Sequence, residues 1–338
     1  MVHQVTNRKT GTKIEVAEDE SILDAALKQG VVFPYSCRGG TCGTCKANLI
    51  AGDVEYPPSD ISALTDEKKA GGAVLLCQAQ PRSELEIDAT EMVASSDIEI
   101  KMMPCRVSTM NKLAHDVMEL KLRLPASQQL NYMAGQYVDI LMRDGRRRSF
   151  SMACRPQSGQ ELELHIRHVP GGRFSGMVFE SMSEKDLLRF QGPFGTFFLR
   201  EESEKPVILM AGGTGLAPIK SILEQAFHED NPRTFHLFWG VRQLRDLYHH
   251  ELLSAWDTTY DNFSYTPVLS ESGNSDNWQG ASGFVHQQVL NEYPELSAYE
   301  VYASGPPIMI GSAQQDFQAA GLDIDAMYFD SFEYATDV

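Results

Sequence analysis

The sequence has no run near the roughly 18 consecutive apolar residues of a membrane span, so no spanning helix is expected. Met1–Val16 also lacks the apolar stretch of a secretory leader, and the cytoplasm is the expected location. Basic residues are scarce, 29 against 46 acidic for a net charge of −17. That balance argues against a general nucleic-acid binder, whose phosphate contacts need clustered Lys and Arg. No catalytic triad is visible, and none of the nine histidines falls in a metal or nucleophile motif. What is present is 338 residues with 42% apolar content, enough for two or three domains that each bury a core.

Charge is unevenly spread. Residues 1–100 carry 9 basic and 16 acidic side chains, residues 101–202 carry 15 and 11, and residues 203–338 carry 5 and 19. The basic middle between two acidic ends implies three modules, the central one suited to an anionic ligand; composition drift is the plainer alternative.

In the first module, His3–Asn7 and Lys13–Ala17 are expected strands around the Thr10-Gly11-Thr12 turn. Ser21 should cap a helix whose apolar face is Ile22, Leu23, Ala26 and Leu27, with Asp24 at the capping-box position and Gly30 as the stop. The stretch Pro34 to Cys45 then spaces cysteines C-x4-C-x2-C, and Cys77 follows after 31 residues. This is the spacing of plant-type 2Fe-2S ferredoxins, in which three thiolates come from one tight loop and the fourth from a distant strand end. Gly39, Gly40 and Gly43 allow backbone N–H groups to turn toward cluster sulfur. A zinc site is the competing reading of C-x2-C, but zinc knuckles pair two such dipeptides and only one is present. Cys105 and Cys154 are left over, and are expected as buried thiols rather than a disulfide. Val93–Lys101 reads as a short linker.

From Cys105 to Leu124 apolar and polar residues alternate, and Tyr132–Met142 continues the pattern after Ala134-Gly135, as in a small antiparallel barrel. In Arg146-Arg147-Arg148-Ser149-Phe150-Ser151 the residues Arg148, Phe150 and Ser151 match the R-x-[YF]-[ST] pattern of the ferredoxin reductase flavoproteins. The chain resembles that family further on. His165-Ile166-Arg167 leads into Pro170-Gly171-Gly172-Arg173-Phe174-Ser175, similar to its second phosphate loop, and Gly192-Pro193-Phe194-Gly195 is similar to its G-P-x-G turn. Ala134 departs from the family's usual proline. The resemblance implies an FAD domain in which Arg148 pairs with the pyrophosphate, Ser149 belongs to the same strand, Phe150 packs on the isoalloxazine and Ser151 bonds near its reactive nitrogen.

Pro206–Ala211 is an apolar run suited to a strand buried on both faces. Gly212-Gly213-Thr214-Gly215 and a helix with Pro218 in its first turn follow, a strand, turn and helix N-terminus suited to a dinucleotide pyrophosphate. A glycine turn alone can be mere punctuation, and it is not G-x-G-x-x-G. Further strands at 234–240, 263–269, 300–303 and 326–329 give α/β alternation. Ser304-Gly305-Pro306-Pro307 resembles the family's C-G-P-P loop beside the nicotinamide, with serine for cysteine, and Tyr328–Tyr334 resembles the segment covering the flavin, Phe332 or Phe329 being the shield. Arg242 and Arg245 could meet a 2′-phosphate, but no dense basic cluster surrounds them, which favours NADH.

The expected architecture is therefore multidomain: a β-grasp α+β ferredoxin module over 1–95, an antiparallel β-barrel FAD domain over 101–202, and an α/β parallel-sheet NAD domain over 203–338. Expected ligands are FAD, NADH and a 2Fe-2S cluster on Cys37, Cys42, Cys45 and Cys77. Catalytic candidates are Ser151, Ser304 and Phe332. The partner implied is an oxygenase or hydroxylase component, or another electron-accepting protein. Alternatives are a deoxysugar-type (CDP-6-deoxy-glucoseen) reductase, a stand-alone flavin or quinone reductase, and a redox sensor with a degenerate flavin module.

Overall fold

The structure is a computed structural model that describes residues 1–58, 61–92, 98–156, 159–272 and 277–332. Of the expected linker, residues 93–97 lie outside the described residues, as do Glu333 and Tyr334 of the terminal segment. The chain divides into two compact units, Met1–Ile98 and Glu99–Val338. No helix among the described residues is long and apolar enough to cross a membrane.

Unit 1 contains β1 (Val2–Asn7), β2 (Lys13–Ala17), α1 (Ile22–Lys28), β3 (Lys46–Ala51), β4 (Val54–Glu55), α2 (Asp66–Ala70), β5 (Ala73–Leu75), β6 (Gln80–Pro81) and β7 (Leu85–Asp88). Five strands form one sheet in the order β2-β1-β7-β3-β5, with β1 and β7 parallel. Alternation in β1 and β2 sends Val5, Ile14 and Val16 inward, where α1 lays Ile22 and Leu23 against them. Ser21 Oγ accepts from the Asp24 N–H at 3.1 Å, as expected of the cap. The Asp24 carboxylate, however, pairs with Arg38 at 2.8 Å in place of a reciprocal capping box, because the cysteine loop brings a guanidinium within reach.

Unit 2 opens with the hairpin β8 (Lys101–Ala114) and β9 (Val117–Arg123), then β10 (Tyr137–Leu141), β11 (Arg147–Ser151), β12 (Glu161–Arg167), α3 (Arg173–Glu180) and β13 (Leu187–Phe194). These strands form an antiparallel sheet, β11-β10-β13-β8-β9-β12, and a Met152–Leu164 bridge joins its two ends into a barrel. The interior is filled by Val107, Leu120, Leu122, Val138, Ile140, Leu164, Ile166 and Phe190.

The rest is a parallel sheet with β14 (Val207–Gly212), α4 (Leu216–His228), β15 (Phe235–Val241), α5 (His250–Thr259), β16 (Phe263–Leu269), β17 (Ala281–Ser282), α6 (Val285–Glu292), β18 (Glu300–Gly305), α7 (Pro307–Ala319) and β19 (Met327–Ser331). The strand order is β17-β16-β15-β14-β18-β19. Apolar cores lie on both faces, one holding Ile219, Ile222, Leu223 and Trp239, the other Phe238, Val301 and Phe317. That two-sided burial is why β14 reads as an uninterrupted apolar run. The carboxyl ends of β14 and β18 lie side by side, the position at which open α/β sheets take ligands.

Candidate active site

In unit 1 the loop before β3 and the segment after β5 bring the four cysteines into two pairs. Gly39 and Cys42 both donate their backbone N–H to Cys37 Sγ at 3.4 Å, and the Thr44 hydroxyl donates to Cys42 Sγ at 3.3 Å. A hydrogen bond from the Cys42 thiol, helped by Thr41, pulls Cys37 down to about 4, and Cys42 moves up in response. A bond from Cys77 likewise lowers Cys45 and raises Cys77. None of the six cysteines is in a disulfide, and Cys105 and Cys154 are buried thiols. Gly40 sits at φ +86°, and a Cβ there would come within 3.1 Å of Gln78 Cγ, whose side chain holds the Arg38 carbonyl at 2.7 Å. Four sulfur donors with N–H groups already turned toward one of them suit an iron-sulfur cluster.

In unit 2 the arginine strand β11 gathers positive charge. Arg146 and Arg173 reach Asp144 at 3.0 and 3.1 Å, and Arg148 lies among them, its pKa lowered by burial and by the neighbouring Arg146 and Arg173 charges. Ser149 Oγ donates to Asp139 at 2.6 Å. Phe150 packs on Phe174, ring centroids 5.1 Å apart. Gly172 is the N-cap of α3, and the Ser175 hydroxyl closes that turn by accepting from the Val169 N–H at 3.1 Å.

The outer face of β12 carries Glu163, His165 and Arg167, whereas Ile166 points into the barrel core. His165 is wholly buried, bonded to Glu163 at 3.0 Å and to the Tyr248 hydroxyl at 3.1 Å. Any cofactor contact at His165 and Ile166 is therefore left to backbone. Arg167 bonds Asp116 at 2.9 Å, and its Nη1 lies 2.7 Å from where a Cβ on Gly213 would stand.

The loop Gly213-Thr214-Gly215 packs directly on the segment Ser304-Gly305-Pro306. A Cβ on Gly215 would fall 2.1 Å from the Ser304 carbonyl oxygen, so only glycine allows the two loops to meet. Ser304 is fully buried, and its hydroxyl has no hydrogen-bond partner among the described residues, a cost of about 1–3 kcal/mol unless something else meets it. An open donor at the junction of two glycine loops is what a site completed by a nucleotide leaves behind. Arg242 is exposed, 3.9 Å from Glu271.

β19 ties these parts together. Asp330 pairs in register with Ser304, while its carboxylate accepts from Ser151 Oγ at 3.1 Å. Phe332, just past the end of β19, donates its N–H to the Gly305 carbonyl at 2.9 Å. Phe329 packs against the sheet core and Phe332 is half-buried beyond it. Ser151, Ser304 and Phe332 are legible as motif residues but Asp330 is not; its one signal in the sequence is a lone carboxylate directly after Met327-Tyr328-Phe329.

Three family models match the chain: a 2Fe-2S iron-sulfur cluster binding domain over residues 5–82, an oxidoreductase FAD-binding domain over 104–199, and an oxidoreductase NAD-binding domain over 209–315. The first shows a 2Fe-2S cluster domain rather than a zinc module, and its span includes all four cysteines. CDP-6-deoxy-L-threo-D-glycero-4-hexulose-3-dehydrase reductase of Yersinia pestis is 40% identical over 92% of this chain and 93% of its own. The phenol 2-monooxygenase reductase component DmpP of Pseudomonas sp. (strain CF600) is 33% identical over 100% of this chain and 96% of its own. Among solved structures, the Amycolatopsis cytochrome P450 reductase GcoB superposes with a TM-score of 0.83 at 29% identity, covering 99% of this chain and 100% of that one.

Proposed function

Because the chain belongs to the ferredoxin-containing branch of the ferredoxin reductase family, iron-sulfur flavoproteins that draw electrons from NADH, we propose that it delivers those electrons to a partner oxygenase or hydroxylase component. When bound, FAD supplies two-electron acceptance from NADH and the cluster supplies one-electron carriage. In this reading Cys37, Cys42, Cys45 and Cys77 ligate the cluster. Arg148, Ser149, Phe150 and Ser151 hold the flavin, with Gly172, Arg173, Phe174, Ser175 and the backbone of His165 and Ile166 around its phosphates. Arg167, Gly213, Thr214, Gly215 and Arg242 receive the dinucleotide, Ser304, Gly305 and Pro306 the nicotinamide, and Phe332 covers the ring. The corresponding modules run 1–95, 101–202 and 203–338, and the family matches fall inside those limits.

The observation that carries the reading is the bond from Ser151 Oγ to Asp330 at the strand register of Ser304. Asp330 accepts the hydrogen bond from Ser151 Oγ and so fixes the direction of that hydroxyl, while β19 holds the barrel serine beside the nicotinamide loop. Hydride transfer needs this alignment and exclusion of water rather than a general base. Cys105 and Cys154, left as buried thiols rather than a disulfide, support a reducing, cytoplasmic location.

Anaerobic reduction by NADH followed by mixing with candidate oxygenase components tests the proposal. Rapid reoxidation by one of them is expected, and persistence of the reduced state with all of them contradicts it. The 40% identity to the hexulose-dehydrase reductase favours one second reading, in which the acceptor is a deoxysugar dehydrase, and the same assay with such a dehydrase separates the two.

A further inference from the structure

Lys220 lies on α4, five residues past Gly215, yet it is 5% exposed. A buried ammonium is costly unless its donors are met, and it has three of them. Lys220 Nζ has three acceptors: the Ala153 carbonyl at 2.8 Å, Glu224 Oε1 at 2.7 Å and Glu163 Oε1 at 3.1 Å. Two of these belong to the barrel. Ala153 follows Ser151 by two residues, and Glu163 stands on the outer face of β12. Adjacent bonds run the same way. Ser221 Oγ donates to the Cys154 carbonyl at 2.6 Å, and the Arg155 N–H donates to Glu224 Oε2 at 3.1 Å.

The barrel segment leaving Ser151 is thus bonded to the helix leaving the glycine loop, and the bonds are directional. Apolar side chains could hold the same two surfaces together without the desolvation cost, but they would not set the rotation of one against the other. Nor is a metal needed to fill the place. Glu163, His165 and His249 bring three donor atoms within 4.8 Å of one another, but Glu163 Oε1 is already engaged by the Lys220 ammonium at 3.1 Å and by His165 Nε2 at 3.0 Å.

We propose that Lys220, through Ala153 and Glu163, is a positioning residue that sets the register between the flavin strand and the dinucleotide helix, and hence the hydride-transfer geometry. The inference rests on the reductase reading above. A displacement of about 1 Å in such an arrangement lowers the rate by about 10²-fold, whereas coenzyme affinity depends on contacts elsewhere in the loop.

The test compares flavin-loaded full-length parent, K220M, K220R and E163Q/K220M under anaerobic rapid mixing with NADH. The double variant removes Lys220 and the charge of its barrel carboxylate at similar volume, so the more deeply buried Glu163 is not stranded, while the partly exposed Glu224 keeps its bond from the Arg155 N–H. It is expected to keep the parental flavin spectrum and melting temperature and a KM for NADH within about threefold, while flavin bleaching slows by about 10- to 100-fold. K220R is expected to bleach faster than K220M, because it retains the charge. Bleaching at the parental rate in the double variant overturns the inference. So does loss of folding or of flavin in that variant, which would mark the network as a stability element, and so does one zinc per chain in the parent that is lost in H249A. A parent that holds no flavin, or does not bleach with NADH, sinks the reductase reading itself.

Discussion

The cysteine loop of unit 1 and the Ser151–Asp330–Ser304 junction of unit 2 are built by opposite means. In unit 1, three of four candidate ligands fall within nine consecutive residues, and the fourth arrives on one short segment after β5. In unit 2, Ser151 and Asp330 are 179 positions apart and meet only because β19 completes the parallel sheet beside the barrel. The first site is a local loop whose donors are side chains. The second is an assembly in which backbone approach and strand register do most of the work. A local loop should fail all at once when a ligand is lost, and a site assembled from distant strands should degrade in steps.

The largest expected effect breaks the comparison at its local end. Cys45→Ser removes one of four thiolates, so the iron-sulfur absorbance and electron paramagnetic resonance signal should disappear while the flavin spectrum stays. Loss of both chromophores would show that the two sites are not separable. Next in size, Asp330→Asn keeps the shape but leaves Ser151 without a charged acceptor; NADH-driven flavin bleaching should slow by about 10- to 100-fold in rapid mixing. An unchanged rate would make that carboxylate structural.

A smaller effect concerns acid stability of unit 2. Burial lowers His249 from 6.5 to about 3 and His236 to about 4. Burial alone would raise Glu163, but hydrogen bonds from His165 and the Lys220 charge outweigh it and bring it from 4.5 to about 2. All three have depressed folded values, so the unfolded chain binds more protons and stability falls as pH falls. The histidine contributions are complete above about pH 6.5 and fade toward pH 4 and 3; that of Glu163 is complete above about 4.5 and fades toward 2. The melting temperature of the flavin-NAD unit, followed by circular dichroism, should therefore decline from about pH 6.5 downward, and His249→Phe should flatten the upper part of that decline. The smallest effect is at Ser304. Replacing it with alanine removes an unmet buried hydroxyl and should raise the stability of the nucleotide-free protein by up to about 1 kcal/mol in denaturant unfolding. The same change should weaken NADH-dependent reduction a few-fold, and a destabilised variant would mean that the hydroxyl already has a protein partner.

The unequal legibility of the two sites follows from the same contrast. C-x4-C-x2-C, the cap at Ser21 and the apolar run of β14 are signals within one window of sequence, and each corresponds to a local element. The Arg148–Ser151 strand and the Ser304–Pro306 loop were visible as motifs because each is contiguous. Asp330 was passed over because its role depends on a strand pairing that no local pattern records. The Lys220–Glu163 pair was passed over for a similar reason: Glu163 alternates like any outward strand residue, and Lys220 sits among helix-forming residues with no sign of what will cover it. The buried side chain of His165 also depends on Tyr248, 83 positions later. Asp24 shows that even a local motif can be redirected, since Arg38 takes the carboxylate that a capping box would have used.

The most direct test of the account is anaerobic mixing of the purified protein, prepared with iron and riboflavin available, with one equivalent of NADH, following flavin absorbance and the cluster's paramagnetic signal together. The account predicts that the yellow absorbance falls and the reduced-cluster signal rises within the same chain. A flavin that bleaches while the cluster stays oxidised, or a preparation that contains zinc and no flavin, would contradict it.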